Sequence, residues 1–343
     1  MVAVSVKDVF GGIKLDKKLV SIISPCYNGE AFVSRFFENI LEQTYPRIEL
    51  IFINDGSSDR TEEIAKSYEE KFKQKGYELI YIYQENAGQA AAVNKGLKLF
   101  HGDYFMWTDS DDLLDKNNIE KKVAFLDAHD DADYVMCRGR VVKENALDVK
   151  IAELKRVQPQ GEDNMFLDLI VEKNVVFTPG VYLVRREAFL AVNPGRDIIE
   201  SRVGQNWQIL LPLAHSCKCG YIKEELFSYI IREDSHSRQE KTLIQVLEKL
   251  RNHNDLLIRI LDEMGLGQSE YRKILDEKYI RKQFDNAYFY HDKKLLTEKY
   301  NELKAQGGAS KRDMLIYYAG KYKLVDMGYK WFRKAKDFRR AQQ

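Results

Sequence analysis

The stretch LVSIISPCYNGEAFVSRFFENILEQTYPRIELIFINDGSSD (residues 19–59) decides the fold. It begins with a short β-branched run that stops at Pro25, and it closes with a second apolar run that stops at Asp55. Strand, helix and strand in this order are typical of a parallel βαβ unit. The helix is indicated by apolar residues at helical spacing, namely Phe32, Phe36, Phe37, Ile40 and Leu41.

The same alternation continues further along the chain. An N-cap, an acidic first turn and a terminal glycine predict a helix over residues 58–76, and small residues predict another over residues 88–100. Strands are predicted over residues 78–84 and 103–108. The β-α-β-α-β-α-β order predicts an α/β fold with a mainly parallel central sheet and helices on both faces.

Composition excludes several classes of protein. The 343 residues are 44% hydrophobic and 31% charged, which is typical of a soluble globular protein. A net charge of +1 provides no overall field for nucleic acid, and no nucleic-acid-binding module is evident. No apolar run is long enough for a transmembrane helix, and charges interrupt the N-terminus, unlike in a secretory signal. We expect a cytoplasmic protein whose four cysteines are reduced thiols, namely Cys26, Cys137, Cys217 and Cys219.

Polar sets follow three of the predicted strands. They are PCYNGE (residues 25–30), NDGSSD (residues 54–59) and TDSDD (residues 108–112). Sheets of this kind bind ligands beyond the carboxyl ends of their strands. If the three strands are adjacent, the three loops converge on one edge of the sheet.

The three carboxylates of TDSDD, on Asp109, Asp111 and Asp112, repel one another and need a reason to be together. One interpretation is that they cap the helix predicted near residues 117–129, where acids suit the positive helix end. The other is that Asp109 and Asp111 hold Mg²⁺ or Mn²⁺ beside a phosphate-bearing ligand, with Asp112 as the cap. The two other polar loops at the same edge favour the metal.

Three segments, residues 20–61, ENAGQAAAVNKGL (residues 85–97) and GDYFMWTDSDD (residues 102–112), occur in order over about the first 115 residues. With these segments the chain resembles the inverting family 2 glycosyltransferases, which have the GT-A fold. The resemblance implies transfer of a hexose or N-acetylhexosamine from a UDP-sugar to a glycan hydroxyl, with Mn²⁺ or Mg²⁺. The acceptor implied is a surface polysaccharide, a lipid-linked oligosaccharide or a glycosylated protein.

The resemblance also implies roles for single residues. Asp55 would recognise uracil, Asp111 would ligate the metal, and Asp109 would contact the ribose or the metal. Arg232 would clamp a phosphate, and His236 would be a third metal ligand or a phosphate donor. The other nucleotide-sugar contacts implied are Pro25, Tyr27, Asn28, Glu30, Gly56, Ser57, Asn86, Gly88, Asn94 and Ser110.

Structural alternatives exist for some of these residues. Plain turn chemistry explains Asn28 and Gly56 equally well. Close helix packing explains the alanines of GQAAAVNKG (residues 88–96). Both alternatives are compatible with ligand binding.

The chain departs from the family pattern at three places. Asn54 stands where a second acid is usual, and Val93 stands where an arginine is frequent. Gln205-Asn206 stands where the family has Glu-Asp, whose aspartate is the general base. An amide cannot take a proton at neutral pH.

Another acid is therefore expected to act as the base. We predict Glu200, with Asp197 as the next candidate, and the structural alternative for Glu200 is a surface pair with Arg202. Gln205, Asn206 and Trp207 would then contact the acceptor or the sugar, with core packing as the alternative for Trp207.

Two other functions are conceivable. The missing base suggests a binding module that keeps the nucleotide-sugar pocket without transfer. A sugar-nucleotide pyrophosphorylase would need a Gly-rich N-terminal loop with a basic residue, which ISPCYNGE (residues 23–30) does not provide.

We expect a catalytic domain over residues 1–238, with a nucleotide-sugar half over about 18–115 and an acceptor half over about 116–238. The acceptor half would begin with a strand and a helix within residues 177–192.

A helical region would follow over residues 239–343, with helices over 242–265 and 271–291 and a break at Gly307-Gly308. Residues 311–343 carry ten Lys and Arg against three Asp, a net charge of +7, interleaved with aromatic residues. This predicts either peripheral membrane contact or a packing surface, including a homo-oligomer interface.

Overall fold

The computed structural model describes residues 17–157, 164–232 and 242–327. These residues divide into two compact units. The first contains residues 17–165 and 174–232 as far as they are described, and the second contains residues 166–173 and 242–327.

One nine-stranded sheet organises the first unit. Its strands are β1 (Val20–Cys26), β2 (Ile48–Asp55), β3 (Glu78–Gln84), β4 (Tyr104–Trp107), β5 (Leu113–Leu114), β6 (Tyr134–Lys143), β7 (Ala146–Leu154), β8 (Tyr182–Arg185) and β9 (Cys219–Ile231). The helices of the described residues are α1 (Val33–Leu41), α2 (Thr61–Ser67), α3 (Glu69–Lys75), α4 (Gln89–Leu99), α5 (Asn118–Ala128), α6 (Met165–Val171), α7 (Arg186–Val192), α8 (Gln205–Ser216), α9 (Leu243–Glu263), α10 (Glu270–Phe289), α11 (Lys293–Ala305) and α12 (Lys311–Lys321).

The sheet has the order β3-β2-β1-β4-β8-β6-β9-β5, and β7 pairs with β6. Strands β3, β2, β1 and β4 are parallel neighbours, which confirms the predicted parallel half. Strand β8 is antiparallel to both β4 and β6, whereas β6 and β9 are parallel. The fold is therefore a mixed α/β sheet whose parallel half comes from the first part of the chain.

Burial explains why the first strands could be recognised. Every residue of β1 and β2 is buried, as in strands that helices cover on both faces. Helix α1 packs Phe37 against Phe52 of β2, with ring centroids 4.9 Å apart. The helix predicted over residues 58–76 is interrupted at Tyr68, whose ring stacks on Phe37 at 5.0 Å. The strand and helix predicted within residues 177–192 are confirmed as β8 and α7.

The second unit is helical. A capping box joins Thr242 to Gln245 at the start of α9, and another joins Ser310 to Asp313 at the start of α12. The described part of the chain contains no helix with both the length and the apolarity to span a membrane. The core of the unit consists of Ile280, Phe284, Ala287, Leu296, Leu303 and Ile316.

The segment of residues 166–173 forms ion pairs with helices of this unit. The Glu172 carboxylate lies 2.9 Å from Lys278 Nζ and 3.5 Å from His253 Nε2, and it also bonds Lys282. These contacts hold the pKa of Glu172 well below its usual range, against the opposing effect of burial.

Candidate active site

The loops after β1 and β2 are tied together at the carboxyl edge of the parallel strands. The Asn28 amide donates to Ser57 Oγ at 2.9 Å, and Asn28 Oδ1 accepts from the Ser58 amide at 2.9 Å. The Gly29 amide donates to Thr61 Oγ1 at 2.7 Å. Glu30 continues this contact, because its carboxylate accepts from the amide of Arg60. The predicted convergence of these loops is confirmed.

Ser110 brings the third loop to the same edge. Its hydroxyl donates to the Pro25 carbonyl oxygen at 3.2 Å, so the end of β4 is bonded to the end of β1. Tyr27 stands exposed beside this junction. Asn28 has a φ of +50° and Gly56 a φ of +73°, so the turn interpretation holds for both.

Asp55 organises the turn over residues 86–88. Its buried carboxylate accepts from Gln84 Nε2 at 2.6 Å, from the Ala87 amide at 2.9 Å and from the Gly88 amide at 3.0 Å. Asn86 Nδ2 returns a bond to the Asp55 carbonyl oxygen at 3.0 Å. A carboxylate has about four acceptor sites. One site therefore remains on Asp55, and its contact with uracil stays a prediction.

Three carboxylates cluster where β4 ends. Asp109, Asp111 and Asp112 each offer an oxygen, and these atoms lie within 4.8 Å of one another. Asp109 Oδ1 accepts from Gln89 Nε2 at 2.5 Å, and Asp112 Oδ1 accepts from the Ile230 amide at 2.9 Å. Asp112 Oδ2 is buried and has no hydrogen-bond partner within the described part of the chain.

The helix-cap interpretation of TDSDD is wrong. Helix α5 begins at Asn118 after the cap residue Asn117, five residues beyond Asp112, and within the described part of the chain no capping bond is formed by the Asn117 side chain. Asp112, predicted to act as the cap, instead faces the two other carboxylates and bonds β9.

The electrostatics of the cluster suit a cation. Burial and the nearby charge of Asp111 raise the pKa of Asp109 to about 7. Burial raises the pKa of Asp111 as well, although Arg232 opposes that shift. Burial, with the charges of both neighbours, raises the pKa of Asp112 well above its usual range. Three hard carboxylates whose charge Arg232 only partly compensates, with one buried oxygen that has no partner among the described residues, fit Mg²⁺ or Mn²⁺.

Two arginines border the cluster. Arg232 Nη1 lies 3.3 Å from Asp111 Oδ2, and its guanidinium stands 4.2 Å from the centroid of the Phe32 ring. Arg35 Nη2 donates to the Asp111 carbonyl oxygen at 3.3 Å. Arg232 thus lies at the cluster, whereas His236 lies outside the described residues.

Asn94 has a different position from the other predicted nucleotide contacts. Its Nδ2 donates to the Ile198 carbonyl oxygen at 2.8 Å, and its Oδ1 accepts from the Ile198 amide at 2.7 Å. A Cβ on nearby Gly96 would stand 2.3 Å from Ile23 Cγ2, so α4 packs closely on β1. The close-packing interpretation of this helix is confirmed, and its buried members include Ala90, Ala91 and Ala92.

The first turn of α8 contains Gln205, Asn206 and Trp207. Asn206 Oδ1 accepts from Trp107 Nε1 at 2.8 Å. The Trp207 ring stacks on Phe177, with centroids 4.0 Å apart. Trp207 therefore packs against at least one aromatic side chain, as the packing alternative predicted. Contact of these three residues with the acceptor or the sugar stays a prediction.

Glu200 lies in the loop between α7 and α8. It is exposed and lines a cavity of about 460 Å³ together with Asn94 and Lys95 of α4. Among the described contacts, none joins Glu200 or Asp197 to the cluster. The pair of Glu200 with Arg202, which was the structural alternative for Glu200, is not found among the ion pairs of the described residues. Asp197 exchanges backbone hydrogen bonds with the Asn193 side chain.

Sequence reasoning missed Gln89 and the linking role of Trp107. Gln89 directly follows Gly88, which was a predicted nucleotide-sugar contact, and this position in the sequence could have indicated a role at the site. The bond of Gln89 to Asp109, however, depends on the orientation of α4. The contact of Trp107 with Asn206 joins positions 99 residues apart, and no local pattern indicates it.

The predicted basic and aromatic region is described only in part. On α12, Ile316 belongs to the core of the helical unit, whereas Met314, Leu315 and Tyr318 are exposed. Residues 328–343 lie outside the described residues. Membrane contact and self-association stay predictions.

Residues 21–191 match the sequence model of the family described as glycosyl transferase family 2. An uncharacterized glycosyltransferase of Rickettsia typhi is 42% identical over 121 residues, which cover 35% of this chain and 36% of the relative. The minor teichoic acid biosynthesis protein GgaB of Bacillus subtilis is 24% identical over 356 residues, which cover 88% of this chain and 37% of the relative. The matches thus span little more than a third of the length of these relatives.

Solved structures share the fold. S. aureus TarS 1–349 in complex with UDP-GlcNAc superposes with a TM-score of 0.54 at 17% identity, over 91% of this chain and 92% of that chain. The mannosyltransferase PcManGT of Pyrobaculum calidifontis, in complex with GDP-Man and Mn²⁺, has a TM-score of 0.52 at 16% identity, over 91% and 83% of the two chains. With its GT-A architecture and the family match over residues 21–191, the chain belongs to glycosyl transferase family 2.

Proposed function

We propose that the protein is a metal-dependent inverting glycosyltransferase that moves a hexose or N-acetylhexosamine from a UDP-sugar to a hydroxyl of a glycan acceptor. The observation that carries the proposal is the cluster of Asp109, Asp111 and Asp112 at the edge where the loops after β1 and β2 meet. A cation bound by these carboxylates would lie beside backbone turns suited to a nucleotide, which supports the proposal.

The proposed reaction is a single displacement. The acceptor oxygen forms a bond to the anomeric carbon while the bond from that carbon to the phosphate oxygen breaks, and UDP leaves with the bonding electrons. A bound Mg²⁺ or Mn²⁺ would neutralise part of the negative charge of the diphosphate. Asp109, Asp111 and Asp112 would hold the ion, and Arg232 beside Asp111 would contact a phosphate.

A base that takes the acceptor proton typically contributes about 10²–10⁴-fold to the rate. We propose Glu200 for this role, with Asp197 as the second candidate. Glu200 is exposed and therefore accessible to an acceptor hydroxyl. The first turn of α8, with Gln205, Asn206 and Trp207, would contact the acceptor or the transferred sugar.

The named relatives support the choice of substrates. TarS was crystallised with UDP-GlcNAc, which supports a UDP-sugar donor, and PcManGT with GDP-Man and Mn²⁺, which supports a metal. GgaB is named for teichoic acid biosynthesis, which supports a surface polysaccharide as the acceptor among the three classes proposed.

A second candidate function is a nucleotide-sugar-binding module without transfer. The amides of Gln205 and Asn206 at the usual base position favour it, because neither side chain takes a proton at neutral pH. Such a module would bind the nucleotide at the same edge and leave the sugar intact.

A donor screen separates the two functions. UDP release is measured with UDP-glucose, UDP-galactose, UDP-N-acetylglucosamine, UDP-N-acetylgalactosamine and GDP-mannose, with Mn²⁺ or with EDTA, alone and with polyol-phosphate or glycan acceptors. Mn²⁺-dependent release from one UDP-sugar is the expected result. Mn²⁺-dependent UDP binding without release under any condition would favour the binding module. GDP-mannose as the sole substrate would overturn the uridine assignment.

A further inference from the structure

The loop between α7 and α8 is fastened at two successive residues. Asn94 of α4 forms two hydrogen bonds with the backbone of Ile198, at 2.7 and 2.8 Å. Gln208 of α8 holds Ile199 in the same way. Its Oε1 accepts from the Ile199 backbone amide at 2.6 Å, and its Nε2 donates to the Ile199 carbonyl oxygen at 2.9 Å. Both side chains are buried, so these bonds are protected from water. They hold the loop against α4 and α8.

This fastening brings Arg202 to the turn over residues 86–88. Arg202 Nη1 donates to Asn86 Oδ1 at 3.4 Å. The nearest atoms to a Cβ built on Gly88 are Arg202 Cγ at 3.8 Å and Nη1 at 3.9 Å. The Arg202 side chain therefore lies over Gly88, at van der Waals distance from the space that a Cβ would fill. The next residue, Gln89, bonds Asp109 of the carboxylate cluster.

The charge of Arg202 distinguishes it from the other arginines at this edge. Arg35 lies 3.5 Å from the Glu144 carboxylate, and Arg232 lies 3.3 Å from that of Asp111. Among the described residues, no carboxylate forms an ion pair with Arg202, not even that of Glu200, and the side chain is exposed. Its positive charge is thus uncompensated, beside a turn whose own amides point inward to Asp55.

An accessible guanidinium with free donors is well suited to phosphate, since its planar fork can donate two parallel hydrogen bonds. We infer that Arg202 binds the diphosphate of the nucleotide-sugar donor, reaching it across the turn over residues 86–88. This inference rests on the proposed function and adds a binding residue from the acceptor half of the fold. Its contact would couple donor binding to the position of the loop that leads into α8.

The test compares binding of UDP and uridine to the full chain in Mn²⁺ by calorimetry, using wild type, Arg202→Ala, Arg202→Lys and the control Arg251→Ala. Arg251 is an exposed arginine of α9 without an assigned role. Arg202→Ala is expected to weaken UDP binding at least tenfold and to change uridine binding less than twofold, because uridine has no phosphate. Arg202→Lys should recover part of the loss, and Arg251→Ala should match wild type.

Three outcomes overturn the inference, and they differ in what else they overturn. Equal UDP affinity of wild type and Arg202→Ala overturns the inference alone. If that equality is accompanied by a raised KM for a polyol-phosphate acceptor, the phosphate that Arg202 meets belongs to the acceptor. A wild-type protein that binds no uridine nucleotide overturns the proposed function together with the inference. Thermal unfolding of Arg202→Ala at the wild-type temperature would confirm that the exposed substitution leaves the fold intact.

Discussion

Trp107 Nε1 donates a hydrogen bond of 2.8 Å to Asn206 Oδ1. The bond joins the end of β4, two residues before Asp109, to the first turn of α8. It also orients the Asn206 amide, because the side-chain oxygen must face the indole. An aspartate at this position could accept the same bond, so the structure around residue 206 suits either side chain.

Glu200→Gln is expected to lower the rate of transfer by about 10²-fold or more, because it removes the proposed base and keeps the size of the side chain. The measurement is kcat for UDP release in the presence of acceptor. Glu187→Gln is the control, since Glu187 is an exposed acid on α7 without an assigned role. An unchanged rate for Glu200→Gln excludes Glu200 as the base, and Asp197→Asn is then measured.

Asn206→Asp is expected to restore part of the rate when combined with Glu200→Gln. The new carboxylate would keep the bond to Trp107 and supply a proton acceptor in the first turn of α8. The measured pH profile should gain a limb that falls toward low pH as this carboxylate is protonated. Gln205→Glu in the same background is the matched control, because it places the same charge one residue away. Equal rates for both double variants would show that position 206 does not face the acceptor.

Features that depend on residues near one another in the sequence could be predicted, whereas features that depend on residues far apart could not. Strands β1 and β2 are buried along their whole length, and such strands can be recognised from a local, largely apolar run of residues. Strands β6 and β9 were not predicted, because arginine, lysine and glutamate interrupt their apolar patterns and they pair across about 85 residues. Likewise, the closeness of the three aspartates follows from their spacing, but the bonds of Asn94 to Ile198 span 104 residues. Such long-range contacts depend on the packing of whole elements.

Asp111→Asn is expected to weaken Mn²⁺ binding at least tenfold and to lower UDP release by about 10²-fold, since one carboxylate of the cluster is lost. The same variant should melt at a higher temperature than wild type in EDTA. The raised pKa values of the cluster mean that its negative charges destabilise the metal-free fold at neutral pH, and a neutral amide relieves this repulsion.

Asp131→Asn is the control for this pair of measurements, because Asp131 makes its salt bridge with Lys218 at the surface. It should change neither Mn²⁺ affinity nor UDP release. If Asp111→Asn binds Mn²⁺ like wild type, the cluster is not the metal site.

Lys122→Met is expected to alter how stability depends on pH. Lys122 is fully buried, donates to the Gly180 carbonyl oxygen at 2.6 Å, and has a pKa that burial lowers from 10.5 to about 8. Between these two values the unfolded chain binds the proton more tightly than the folded one, so the free energy of unfolding of wild type should rise with pH. Below about pH 8 the lysine is charged in both states, and its contribution is a constant cost of burial.

Between pH 8 and pH 10.5, the free energy of unfolding of wild type should therefore rise by up to about 3 kcal/mol relative to that of Lys122→Met. The measurement is urea unfolding of both proteins at several pH values. Lys121→Met is the matched control, because Lys121 is only partly buried and pairs with Glu224 at the surface. Its difference from wild type should stay within about 1 kcal/mol over the same range. A constant difference between wild type and Lys122→Met would mean that Lys122 keeps its usual pKa, and that water or a nearby charge reaches the ammonium group in the folded protein.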